Sequence, residues 1–249
     1  MNFNYNLSIK PNPINISFEK LISGWHKPKL QQAHDSFVSN PIYESLNTKE
    51  QLEMVIRSNS RLSEMLNENN LPIKINIEAL NRLKQGHMND TRTLVAKLYS
   101  SLPQELKKDI NLKDLQEAAM LHDYGKVLIP ESILNKSGKL NADEQKIMEL
   151  HSEFGYELLK NKGLSENTLN LVKYHHQNLK GTGYPAKEKN YDYGIEAQIL
   201  ATADKYSALR EKRVYKSALG KYEALEIIAK EVNSGNISQD VYTALLKIV

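Results

Sequence analysis

Apolar positions recur every three to four residues from about residue 49 onward, and nowhere does an alternation of period two persist. The pattern predicts an all-α bundle, beginning with a helix over about 49–67 that Pro72 brings to a halt. Later helices carry readable ends. Asn141 with Glu144 three residues on has the form of a capping box, and Ser165 is a second N-cap candidate. Gly86, Gly125 and Gly163 mark boundaries, and the C-terminal part reads as helices over roughly 194–212, 221–233 and 238–248. Residues 1–48 differ. They hold Pro11, Pro13, Pro28 and Pro41, four of the eight prolines, among many Asn and Ser. Proline removes backbone donors, so this stretch is expected to be an irregular arm, with Trp25 as its candidate anchor. The expected division is an arm and helical extension over 1–75 and a main domain over 76–249.

The polar residues on the apolar faces carry the chemistry. His87 shares a stripe with Thr91, Leu94 and Leu98, and His122 follows Leu115 and Ala119. Ile147, His151, Phe154 and Leu158 form one face. Leu169, Val172 and His176 form another, with His175 adjacent, and Ala197, Leu200, Asp204 and Ala208 a third. Taken singly, each such histidine reads as a hydrogen-bonded core residue, since a polar group on an inward face is costly unless satisfied. Taken together, five of the seven histidines and two aspartates point inward from five separate helices. A shared metal centre satisfies all of them at once. Adjacent helical residues project about 100° apart, so the pairs His122–Asp123 and His175–His176 are suited to neighbouring ions, with Asp123 as the candidate bridge. Mixed imidazole and carboxylate ligation suits Fe, Mn or Zn better than Mg or Ca.

Composition narrows the classes. There is no cysteine, which excludes disulfides and thiolate catalysis and leaves only His and carboxylates for any zinc. With 33 basic and 30 acidic residues the net charge is +3, and no basic run argues for a nucleic acid polymer or an anionic membrane. The N-terminus has no signal-peptide pattern, and no run approaches the ~18 apolar residues of a membrane span. A soluble, cytoplasmic protein is expected.

Four segments, LHDYGKVLIPESILNKSGKL (121–140), HSEFG (151–155), HHQNLKGTGYP (175–185) and ATADKYSALREKRVYK (201–216), resemble the HD-GYP branch of the HD phosphohydrolases in order and spacing, over about residues 80–240. The resemblance implies an HD-type helical bundle that hydrolyses cyclic di-GMP to the linear dinucleotide or to GMP with Fe or Mn. It implies metal ligation by His87, His122, Asp123, His151, His175, His176 and Asp204, with Lys126 near the scissile phosphate beside Asp123. Arg213 and Lys216 match residues that grip substrate phosphates, and Gly181, Gly183, Tyr184 and Pro185 match the loop that names the family. Through that loop the resemblance also implies a diguanylate cyclase-type protein as a partner.

Read from the residues alone, Lys126 is either an oxyanion stabiliser or a solvated lysine, and Tyr184 either stacks on a purine or belongs to a loop that ends a helix. Arg213 and Lys216 equally form a solvated charge cluster with Arg210, Glu211 and Lys212. His26 and His34 fall outside the pattern. The chain departs from the family at Gln177 (usually Glu), Lys180 (Asp) and Ser207 (Asp). Leu83 stands where members with a third metal carry Glu, so two ions are expected. These departures keep two alternatives open: a binding module of low turnover, and a phosphohydrolase acting on another nucleotide.

Overall fold

The computed structural model describes residues 48–186, 193–211 and 218–249. The N-terminal arm with Trp25, and both Arg213 and Lys216, lie outside the described residues. The described residues are helical and contain no strand. In chain order the helices are α1 (Lys49–Ser58), α2 (Ser60–Glu68), α3 (Ile77–Gln85), α4 (His87–Ser101), the short α5 (Gln104–Lys107) and α6 (Leu112–Leu121). After α6 comes a 3-10 turn (Tyr124–Leu128), followed by the short α7 (Glu131–Leu134), α8 (Ala142–Glu149) and α9 (His151–Leu159). The order closes with α10 (Glu166–Tyr174), α11 (Ile195–Arg210), α12 (Lys221–Asn233) and α13 (Gln239–Ile248).

Helix α4 is central and packs against α6, α11 and α13. Its Met88, Val95 and Leu98 are fully enclosed with Leu115 and Ala118 of α6 and Ile199, Leu200 and Ala203 of α11. Helices α9 and α10 close the bundle around Phe154, Leu159 and Val172. Asn141 and Glu144 do form a capping box, and Ser165 caps α10 by accepting from the Thr168 amide. The helix expected over 49–67 is instead two helices broken at Asn59, whose backbone is extended (φ −107°, ψ 101°). Its side chain caps α2 through the Leu62 amide and donates to the Glu157 carbonyl and carboxylate of α9, at 3.0 and 2.9 Å. Asparagine competes for backbone groups in this way, and a partner on α9 settles the competition against a continuous helix.

Gly125 is more than a boundary. It lies inside the 3-10 turn, where an added Cβ would stand 1.9 Å from the His151 carbonyl oxygen and 2.5 Å from the Gly155 nitrogen. The turn therefore touches the first turn of α9 backbone to backbone, a contact that only glycine permits. Gly125→Ala is expected to destabilise the protein by about 3 kcal/mol through forced backbone displacement. Gly138→Ala, at a position with open space around it, is expected to stay within about 0.5 kcal/mol of the parent. Thermal unfolding of the two variants checks this, and equal midpoints would contradict the contact.

Candidate metal centre

Most of the inward histidines sit at helix ends. His87 opens α4 and His151 opens α9, whereas His122 and His175 are the C-caps of α6 and α10. His176 falls two residues past the end of α10 and is the less buried of the pair, contrary to the face expected for it; the helix stops before 176, so the 3.6-residue stripe no longer governs it. Asp204 is the one member carried in mid-helix, on α11.

Local backbone fixes three of the rings. His122 Nδ1 donates to the Ala119 carbonyl at 2.9 Å, His151 Nδ1 to Met148 at 2.6 Å and His175 Nδ1 to Val172 at 2.7 Å. Each acceptor lies three residues earlier. A carbonyl only accepts, so each Nδ1 carries the proton and each Nε2, in the neutral ring, presents a lone pair. The ring nitrogens converge: the lone pairs of His151 and His175 face each other at 3.2 Å, His176 Nε2 lies 3.2 Å from His151 Nε2, and His122 Nε2 lies 3.3 Å from Nε2 of His87, which donates to the Asp204 carboxylate at 2.8 Å.

The ligand atoms form two groups, Asp123 with His151, His175 and His176, and His87 with His122 and Asp204. Both carboxylates straddle the pair. Asp123 Oδ1 faces His151 Nε2 at 3.4 Å, while its Oδ2 faces His122 at 3.5 Å and His87 at 3.7 Å. Asp204 Oδ1 lies 2.8 Å from His87 Nε2, and its Oδ2 lies 3.8 Å from His176 Nδ1.

The residues present fit metal ions. Atoms coordinated at about 2.0–2.2 Å around one ion lie about 2.9–3.5 Å apart, which is the spacing of the facing imidazoles. Asp123 Oδ1 is buried with no hydrogen-bond partner, and the ring nitrogen facing it holds a lone pair. A cation relieves both repulsions. An all-nitrogen and oxygen donor set with carboxylate excludes a thiolate-type site.

The electrostatics favour the neutral ring at His151, His175 and His176 and the protonated ring at His122. Burial drives the imidazoles toward the neutral form, taking His151 to about 3 and His176 to about 4, and holding His175 well below the usual histidine range. Burial opposes ionisation of Asp123 and Asp204, yet both stay well below the usual carboxylate range. Lys126, His122 and His87 outweigh burial for Asp123, and His122 and His87 do so for Asp204. At His122 burial is outweighed by Asp123 and Asp204, and its value is raised.

Lys126 Nζ lies 2.6 Å from Asp123 Oδ2 with little exposure, which removes it from the class of solvated lysines. The loop expected from 181 to 185 folds back onto the centre. The Tyr184 ring lies on His176, with centroids 4.6 Å apart and planes 30° apart. At Gly183 an added Cβ would stand 2.1 Å from the His176 carbonyl oxygen, and Gly181 takes a left-handed φ of 70°.

Two contributions escaped the sequence reading. Gln177 is buried and donates from Nε2 to the Pro185 carbonyl at 2.5 Å. Its Oε1 accepts from the Gly183 amide at 3.2 Å, and Tyr193 donates to its carbonyl at 2.8 Å. It thereby holds the loop against the centre. Glu211, which the sequence groups with a charge cluster, has Oε2 3.8 Å from His87 Nδ1. Its adjacency to His175–His176 was the available signal for Gln177; nothing local signals Glu211, since 124 positions separate it from His87.

The buried neutral imidazoles set a pH dependence. In the unfolded chain they protonate near 6.5, but His151 and His176 resist protonation in the folded protein down to about 3 and about 4. Below pH 6.5 the unfolded state binds more protons, so stability falls as pH drops from 6.5 toward 4. The depressed aspartates add to the loss below about pH 4, while the raised His122 acts in the opposite sense, losing its contribution as pH rises. Metal-free protein is expected to lose roughly 2 kcal/mol per neutral imidazole between pH 6.5 and pH 5. Urea unfolding at the two pH values checks this; coincident midpoints would contradict burial of these rings in neutral form.

Comparison with known proteins bears on the same residues. A family model described as "HD domain" matches residues 74–241. The chain is 42% identical over 104 residues to 3′3′-cGAMP-specific phosphodiesterase 2 of Vibrio cholerae, covering 41% of this chain and 20% of that protein. It is 41% identical over 107 residues to the cyclic di-GMP phosphodiesterase response regulator RpfG of Xanthomonas campestris, covering 42% and 28%. With the cyclic di-GMP phosphodiesterase of Thermotoga maritima it shares 34% identity over 143 residues, covering 56% and 38%. The chain thus spans well under half the length of these relatives. The fold is similar to that of Bd1817, an HDG"Y"P protein from Bdellovibrio bacteriovorus, with a TM-score of 0.53 at 17% identity over 88% of this chain and 69% of that one. With a family model over residues 74–241 that spans His122–Asp123, the chain belongs to the HD-domain family.

Proposed function

We propose that the protein is a metal-dependent phosphodiesterase that hydrolyses a cyclic dinucleotide, cyclic di-GMP in the first instance, to the linear dinucleotide or GMP. The observation that carries this reading is the pair of adjoining ligand groups spanned by Asp123 and Asp204. Two ions, Fe or Mn, suit the donor set. His87, His122 and Asp204 would hold one, and His151, His175, His176 and Asp123 the other, with Asp123 shared. When bound, such a pair supplies Lewis acidity to phosphoryl oxygens and makes water a competent nucleophile at neutral pH.

The remaining tasks fall to this chain. The Nδ1–carbonyl bonds orient three imidazoles before any ligand arrives, so little ordering cost remains. Lys126 lines a cavity of about 540 Å³ that opens beside His151, His176 and Tyr184. From there its ammonium is suited to stabilise negative charge growing on the phosphoryl oxygens. Tyr184 and the loop that Gln177 braces cover His176 and limit the access of water on that side. The relatives named as phosphodiesterases of cyclic di-GMP or 3′3′-cGAMP support the substrate class, and a cyclic di-GMP substrate fits a partner of the diguanylate cyclase type at the Gly183–Pro185 loop.

Protein loaded with Mn or Fe under reducing conditions is expected to convert cyclic di-GMP, and to a different extent 3′3′-cGAMP, into linear product. His122→Ala and Asp123→Asn are expected to lower turnover at least ~100-fold together with the bound metal measured by mass spectrometry. Lys126→Ala is expected to lower kcat by about 10²–10³-fold with metal content unchanged. Tight binding without turnover in the metal-loaded parent would instead mark a binding module, and turnover confined to another nucleotide would move the substrate class.

A further inference from the structure

The cavity beside the centre is larger than the reaction at one phosphate requires, and its far wall has a composition of its own. That wall is the 135–141 loop between α7 and α8. Glu144 braces it by accepting from Lys136 Nζ at 2.5 Å and from the Asn141 amide at 2.8 Å, while Asn141 accepts from the Glu144 amide. The loop is thus held by a capping box and an ion pair on one carboxylate.

Among the described residues three lysines line the cavity, Lys126, Lys136 and Lys139, and no carboxylate does. Two are already matched. Lys126 is paired with Asp123 and Lys136 with Glu144. Lys139 makes no hydrogen bond or ion pair among the described residues and is exposed at the cavity wall. Between the lysines the lining mixes the apolar Ile133, Leu134, Leu140 and Met148 with the polar Ser137 and Gln145. The cavity therefore joins, in one space, a phosphate-cleaving end, an apolar strip and an unmatched cation.

We infer that this wall is a specificity element for the part of the substrate that is not cut. Lys139 holds the second, non-scissile phosphate of a cyclic dinucleotide, and the strip from Ile133 to Met148 takes a nucleobase. The chemistry of the ligand follows from the wall. One ammonium matches the charge of a phosphodiester monoanion, in addition to the Arg213 and Lys216 that the family resemblance assigns to substrate phosphates, and a purine face is covered by apolar side chains. A phosphomonoester or a simple diester would fill only the metal end. The inference rests on the phosphodiesterase reading given above for the substrate class, but its test does not require turnover of the dinucleotide.

The experiment uses the Mn-loaded 249-residue chain cleaving bis(4-nitrophenyl) phosphate, a diester with one phosphate, with cyclic di-GMP added as competitor. Lys139→Glu is expected to leave cleavage of the small diester within twofold and to raise the inhibition constant of cyclic di-GMP tenfold or more. Lys139→Arg is expected to restore it to within threefold. Calorimetric titration of metal-free parent and variant with cyclic di-GMP reads the same loss without catalysis. An inhibition constant unchanged in Lys139→Glu, parallel loss of small-diester cleavage, or no inhibition of the parent overturns the inference. If the parent is inhibited in the expected way but releases no linear dinucleotide, the phosphodiesterase reading fails while the wall's role stands.

Discussion

The disposition of one proton on each of three imidazoles governs this molecule. His122, His151 and His175 each give Nδ1–H to a carbonyl three residues back, and each, in the neutral ring, is thereby left with an Nε2 lone pair aimed at its neighbours. Lone pairs 3.2 Å apart repel, and the unpartnered Asp123 Oδ1 adds a negative charge to the same space. A folded chain tolerates such a concentration only if its packing forces it, and the packing here does so from several directions at once. The centre is thus preorganised for cations at a cost in stability met by the surrounding apolar contacts.

That arrangement depends on helix termini. An imidazole within a helix has its own turn's carbonyls already engaged, whereas one at a first or last turn finds a free carbonyl nearby. Placing His122 and His175 as C-caps and His151 just after the α8 break at Leu150 supplies those acceptors. The contact of Gly125 with the His151 carbonyl then brings the His122–Asp123 corner onto α9, so that both oxygens of Asp123 reach imidazoles from different helices.

Around this centre the charges are segregated. The carboxylates lie inside, among the imidazoles, and the cavity beyond them is lined by lysines. Lys126 stands at the border, paired with Asp123 on one side and facing the cavity on the other. Such a gradient favours an anionic ligand in the cavity and cations behind it. Gln177 adds a neutral brace where a carboxylate is usual for the family. Its amide both donates to Pro185 and accepts from Gly183, a combination that an ionised carboxylate lacks.

Much of this was written in local pattern. The inward faces carrying His87, His122, His151, His175 and Asp204 follow from a 3.6-residue period, and the caps at Asn141 and Ser165 from side chains acting within one turn. Both are interactions over three or four residues, so the sequence contains them whole. The break at Asn59, the division of the seven inward residues into two groups and the approach of Gly125 to His151 were not legible. So too were the hold of Gln177 on its loop, the placement of Glu211 near His87 and the isolation of Lys139 among paired lysines. Each is settled by which atoms meet across helices far apart in the chain, and a periodic pattern specifies the face a residue turns inward but not the partner it finds there.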